Sequence, residues 1–465
     1  MKKIFLSVCL IMAVCLSSKA NNLKIENIVF DQLAGTLSFD ISWENSWNID
    51  ADYHDAVWIF AKYKTSNSNQ WKPLVIDDGG GNVSSISGAD LDFIPKRVGF
   101  IAKSSIVSAS QKDIPATTVT ISGLSVSGVN PSIKVFGTEM VYVPEGSFQA
   151  GDGSSADSRF VIGLTDPELI IPAVINENTT TVYIANFPFS TIDLNADFPT
   201  GYKSFYCMKY EVTQQQMVDY LNTLNRKQLS FFRKNESFKY FLNSSDVPLN
   251  RMGIAVKESS PIRNVVFGMD LNNNGVFDEN DDGGSLACNY LNTSTLYAYL
   301  DWAALRPMSE LEYEKAARGF DEPIEDDFAW GSTLFLSAVS DSTKNAGTPD
   351  EVNMTDRMNI ASGFGPLRVG FASRESTDRI GSGNSYYGIS NLSDNLSETV
   401  VEVLYRAFSR NAHGDGVHGE FVPWDIRQRI WKGGNYNMDG NVTISNRSYS
   451  GPLELLGGRG VISFE

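Results

Sequence analysis

The chain has 465 residues with 38 basic and 55 acidic side chains, a formal net charge of −17. Its 42% hydrophobic and 20% charged contents are those of a folded protein of two or three domains and exclude a disordered tail. The acidic excess repels phosphate backbones and anionic lipid, which excludes nucleic acid as a partner and leaves solubility and cation-binding carboxylates as its roles.

Lys2 and Lys3 precede the apolar run Ile4 to Leu16, and Ser17-Ser18-Lys19-Ala20 follows it. This is the pattern of a secretory signal peptide over residues 1–20, with a mature chain that begins near Asn21. The run is too short for a membrane anchor, which needs about 20 apolar residues, and no later segment approaches that length, so no transmembrane segment is expected. Cys15 follows Met12-Ala13-Val14, and the bulky Val14 fits lipoprotein processing poorly. The expected product is therefore exported and soluble rather than lipid-anchored, whether periplasmic, outer-surface or secreted. Loss of Lys2, Lys3 and Lys19 lowers the basic count from 38 to 35 against 55 acids. Only Cys207 and Cys288 then remain, in an oxidising compartment where one disulfide or two buried free thiols are both open.

From Leu23 to Phe136 short alternating runs are separated by polar turns: Leu23 to Phe30, Thr36 to Trp43, Val57 to Tyr63, Arg97 to Ala102, Thr117 to Ile121 and Ile133 to Phe136. Strands at this spacing predict an all-β, immunoglobulin- or fibronectin-like sandwich over residues 21–137. Trp43, Trp58 and Trp71 on such strands read as core rather than as a carbohydrate-stacking set.

The texture changes after Gly137, and residues 138–465 form the expected second domain. Thr213 and Gln216 make a capping box that opens a helix with Met217, Tyr220, Leu221 and Leu224 on one face. Asp270 to Asp281 places oxygen side chains at the spacing of a calcium loop, with Gly275 at its sharp turn. Asp270, Asn272, Asn274, the Val276 carbonyl, Asp278 and Asp281 are its expected ligands, since Ca2+ takes 6–8 oxygens. Leu296, Tyr299, Leu300 and Ala303 mark a second helix. Ser309 and Glu312 form another capping box, whose helix should end near Gly319. His413 and His418 lie in a Gly-rich stretch that reads as a polar loop more readily than as a metal site.

Several blocks carry a resemblance. Arg306-Pro307-Met308-Ser309-Glu310-Leu311-Glu312-Tyr313-Glu314-Lys315-Ala316-Ala317-Arg318-Gly319, then Ala329-Trp330-Gly331, Tyr387-Gly388-Ile389 through Asn395-Leu396-Ser397-Glu398, and Lys432-Gly433-Gly434-Asn435-Tyr436-Asn437-Met438 occur in the order of the motifs of the formylglycine-generating enzyme, or sulfatase-modifying factor, family. Residues 138–465 resemble that family, which implies an α+β, irregular C-type lectin-like fold. The resemblance also implies a second calcium site at Asn395 and Glu398. The family's oxidase branch holds Cu(I) between two cysteines that follow the Arg-Gly-Gly block. Here Met438 stands in the first place and Asp439 to Ser445 holds no thiol, so copper is not expected. The expected protein is a non-catalytic, calcium-stabilised binding or scaffold module of the cell envelope or exterior, with a protein or glycan ligand. The alternative is a formylglycine-generating oxidase, or a related metal-dependent enzyme, with a divergent site.

Overall fold

The computed structural model describes residues 22 to 463 apart from 77–81, 94–97, 107, 127, 129, 155–158, 163–170, 186–189, 233–237, 260–264, 336–342, 354–364, 374–377, 406, 420–421, 438–442 and 449–450. The expected signal peptide and Met438 lie outside the described residues. The described chain is mostly β-sheet, and none of its helices is long and apolar enough to cross a membrane.

The N-terminal alternation forms a β-sandwich. Strands Lys24–Asp31, Thr36–Asn48 and Ser108–Ile121 make a three-stranded antiparallel sheet. Because successive side chains of a strand face opposite sides, Leu37, Phe39, Ile41 and Trp43 share one buried face of Thr36–Asn48. They meet Val57, Ile59 and Ala61 of strand Asp55–Lys64 and Phe100 and Ala102 of strand Gly99–Ser104 in one core. Trp43 sits in this core as expected, and Trp71 instead lies beneath the ammonium groups of Lys64 and Lys134.

The second sheet of the sandwich does not stop at residue 137. Its antiparallel order is Arg306–Pro307, Gly460–Ile462, Phe205–Met208, Ser132–Val143, Asp55–Lys64, Gly99–Ser104, Ala89–Phe93. The expected boundary at Gly137 therefore falls inside one strand, Ser132–Val143, which pairs with Asp55–Lys64 along its length and with Phe205–Met208 at its end. A shared sheet is also why Asp55–Lys64 is buried on both sides. Its odd residues face the sandwich core, while Ala56, Trp58 and Phe60 enter the core of the following region. Trp58 Nε1 donates to the Ala303 carbonyl at 2.9 Å, and Lys62 Nζ donates to the carbonyls of Trp302 and Gly416. Burial pushes the Lys62 ammonium down to about 7, with Asp301 and Asp415 opposing the shift.

Beyond this sheet the chain is irregular, with short helices where the caps specify them. Helix Gln214–Leu221 starts at Thr213, whose hydroxyl accepts from the Gln216 N–H while the Gln216 side chain accepts from Thr213 N–H. Helix Thr293–Trp302 is capped by Asn292. Helix Glu310–Arg318 has the reciprocal Ser309–Glu312 box and ends at Gly319, at φ 69°. All nine residues of that last helix are buried, so it is an internal strut rather than an amphipathic surface helix.

Candidate functional site

The acidic loop is delivered by the antiparallel pair Ile254–Glu258 and Val266–Met269. Asp270 follows directly and is wholly buried. Its Oδ1 accepts from the Gly275 N–H at 3.3 Å, which curls the loop back on its first residue. Gly275 adopts φ 82°, the left-handed turn that favours glycine at this position. Further along, Asn272 Oδ1 accepts from Asn274 N–H and Asn274 Oδ1 from Val276 N–H, so the first half of the loop is a chain of side-chain-stabilised turns.

The expected ligands do not all converge. Asp270 Oδ2 is 2.6 Å from Lys239 Nζ, and Asp278 is turned to the hairpin, where Oδ1 accepts from Met269 N–H and Oδ2 pairs with Lys257 at 2.9 Å. Asn274 Nδ2 donates to Glu279 at 2.6 Å, and Val276 is exposed. The carboxylates that do come together are Glu279, Asp281 and Asp282, whose oxygens lie within 4.8 Å of one another. Asn272 Nδ2 reaches Asp281 at 3.4 Å. Loop spacing missed Glu279, which falls between the ninth and twelfth positions that a calcium loop uses, and Asp282, which lies one residue past the twelfth. The uninterrupted run Glu279-Asn280-Asp281-Asp282 was the available signal.

The other expected calcium pair does not suit a cation. Glu398 is buried, and both its oxygens take Arg459 Nε at 2.8 Å, with Nη2 at 2.6 Å. Burial pushes the Glu398 carboxyl up and the Arg459 guanidinium holds it back. Asn395 donates to Glu211 at 2.7 Å, and its Oδ1 accepts from Leu367 N–H. A carboxylate neutralised by a fixed guanidinium has no charge left for Ca2+, so these residues tie the core together.

Other charged residues of the motif blocks make ion pairs in the interior. Arg306 pairs with Glu312, Arg318 with Asp327, Lys432 with Glu314 and Arg447 with Glu310, all in the interior. Gly433 has φ 74°, and a Cβ there would strike the Leu392 carbonyl, so the glycine answers a close backbone approach. Cys207 and Cys288 are free and buried. Burial pushes the Cys207 thiol up to about 12 and raises Cys288 too. His413 Nε2 accepts from Ser463 N–H, and His418 Nδ1 lies 2.7 Å from the Tyr220 hydroxyl, so the two imidazoles serve separate contacts.

Beside the acidic loop runs a cleft of about 730 Å³, walled by the first strand, strand Ser132–Val143, helix Gln214–Leu221 and the loop itself. Glu139, Glu211, Asp219, Asp278, Glu279 and Asp350 line it, against the cations Lys24 and Arg368. Asp219 is raised to about 6, chiefly by burial. Burial pushes the Glu211 carboxyl well up and Lys257 pairs with Asp278, so the acidic excess of the cleft rests on Glu139, Asp219, Glu279 and Asp350.

No family model matches the chain, and no curated protein is significantly similar to it. Among solved structures, the backbone protein of the group B streptococcus pilus 2b aligns at 11% sequence identity, over 41% of this chain and 86% of that one. Its TM-score of 0.13 is too low to carry a structural argument.

Proposed function

We propose that the chain is an exported, non-catalytic relative of the formylglycine-generating enzymes, with their lectin-like fold in its second part, acting as a calcium-stabilised binding or scaffold module of the cell envelope or exterior. The observation that carries the non-catalytic reading is the state of the thiols. Past residue 15 the chain has only Cys207 and Cys288, each 0% exposed and held protonated by burial. Cu(I) oxidase chemistry needs accessible thiolates as soft ligands, and a desolvated thiol supplies neither the charge nor the access.

The acidic cleft supports a ligand-binding role. The acidic excess left on its wall, Glu139, Asp219, Glu279 and Asp350 against Lys24 and Arg368, favours a protein segment that presents ammonium or guanidinium groups. The test has two readouts. Native protein loaded with Cu(I) should consume no oxygen in the presence of a cysteine peptide, and Cys207 and Cys288 should resist a thiol reagent until the chain is unfolded. Peptide oxidation at a steady rate, together with rapid labelling of either cysteine in the native state, would restore the oxidase alternative.

A further inference from the structure

We propose that the acidic loop holds a divalent calcium ion on Glu279, Asp281 and Asp282, at its C-terminal end, rather than on the ligand set its spacing suggests. This rests on the reading of the chain as calcium-stabilised and specifies where that calcium sits.

Two independent observations point to the same place. The first is the convergence itself, with one oxygen from each of the three side chains inside a 4.8 Å circle. The second is Asp282. It is 0% exposed; its Oδ2 accepts from the Glu279 N–H at 2.9 Å and the Asn272 N–H also favours the carboxylate, yet Oδ1 is buried and makes no hydrogen bond. A buried carboxylate oxygen left without a donor is costly, and a cation at the cluster removes that cost. The neighbouring ammonium groups are already engaged, Lys239 with Asp270 and Lys257 with Asp278. Three carboxylates therefore face one another with no counter-charge from either lysine.

The chemistry of the donor set selects the ion. All the donors are hard oxygens, which suits Ca2+ or Mg2+ over softer metals. Glu279 and Asp281 are exposed side chains on a loop, and such adaptable ligands suit the variable geometry of Ca2+ better than the strict octahedron of Mg2+. Carboxylates can bind through one or both oxygens, so three of them and solvent complete a Ca2+ shell of 6–8. Two exposed ligands also predict weak binding, with a Kd of about 10⁻⁴–10⁻³ M, the range of extracellular modules.

The site is placed to do more than fill a loop. Gly283 N–H donates to the Gly347 carbonyl at 3.0 Å, and Gly347 is packed against the Asp281 backbone, so the cluster sits where the loop meets the 343–353 segment. Glu279 is also part of the cleft wall. An ion bound here fixes that wall and ties it to the neighbouring segment.

The experiment is calorimetric titration of the full chain with Ca2+ alone, alongside its melting temperature with Ca2+ and with EDTA. Asp282→Asn keeps the shape of the buried side chain and should weaken Ca2+ at least tenfold. The exposed double variant Glu279→Gln/Asp281→Asn should remove binding while leaving the EDTA melting temperature unchanged, and it decides the matter if Asp282→Asn fails to fold. Asp278→Asn should bind within about twofold of the parent. Binding abolished by Asp278→Asn and kept by the double variant would overturn this ligand assignment while leaving the calcium reading intact. No binding by the parent chain at about 10 mM Ca2+, above the weakest extracellular sites, would overturn both.

Discussion

Glu398→Gln separates a calcium ligand from a structural anion. Glu398 and Arg459 are 1% exposed each, and they meet through three contacts of 2.6–2.8 Å, so solvent and salt screen the pair little. Removing one member of a buried ion pair costs about 3–5 kcal/mol, because the other charge is left without compensation. Here the guanidinium keeps the carbonyls of Met208, Lys209 and Ser390 at 2.8–3.1 Å, which places the expected loss at the lower end, about 3 kcal/mol. At about 2.1 cal/mol/K per residue, a cooperative unit of roughly 440 residues has an unfolding entropy of about 0.9 kcal/mol/K, so the melting temperature should fall by about 3 °C. Calorimetric melting should show the same fall with Ca2+ and with EDTA. Adding Arg459→Met should recover part of the loss, with a coupling of about 2 kcal/mol in the double-mutant cycle. The reasoning fails if the fall appears only in Ca2+, which would make Glu398 a metal ligand, or if it is under about 1 kcal/mol in both conditions.

His418 is pushed down to about 4, mainly by burial, from an ordinary value of 6.5. Its contribution is present in full above 6.5, where folded and unfolded chains both carry it neutral. As pH falls to about 4 the unfolded chain takes up the proton first and roughly 3 kcal/mol is lost, so urea midpoints of the parent should drop over that window more than those of His418→Gln; parallel pH profiles would refute the assignment. Gly319→Ala should destabilise by about 1–3 kcal/mol, because φ 69° disfavours a side chain and the new Cβ meets the Tyr386 ring, and an unchanged denaturation midpoint would show that the cap can relax.

Local features were legible because their causes are local. Thr213 with Gln216, and Ser309 with Glu312, satisfy N–H groups three residues away, so the helix starts followed from the sequence. The same holds for the alternation of Leu37, Phe39, Ile41 and Trp43, which fixes a face whatever packs on it. The strand Ala89–Phe93 was missed although its residues alternate apolar and acidic, because it is short, two of its residues are aspartates that strands disfavour, and it gains its place by pairing with Gly99–Ser104.

What the sequence could not decide is which charge each carboxylate meets. Asp278 has the spacing of a calcium ligand, yet Lys257 and the Met269 N–H take it, while Asp282, one residue past the counted loop, keeps an oxygen buried without a donor. Glu398 belongs to a recognisable block, but its partner Arg459 lies 61 residues away. Gly137 marks a change in composition, and still the strand around it runs on, because hydrogen bonding to Asp55–Lys64 and Phe205–Met208 continues one sheet through both regions. Caps, turns and side-chain periodicity depend on neighbours in sequence, so this chain wrote them down by itself. The pairing of sheets and charges depends on neighbours in space, and only tertiary packing, which sets what is desolvated beside what, chose them.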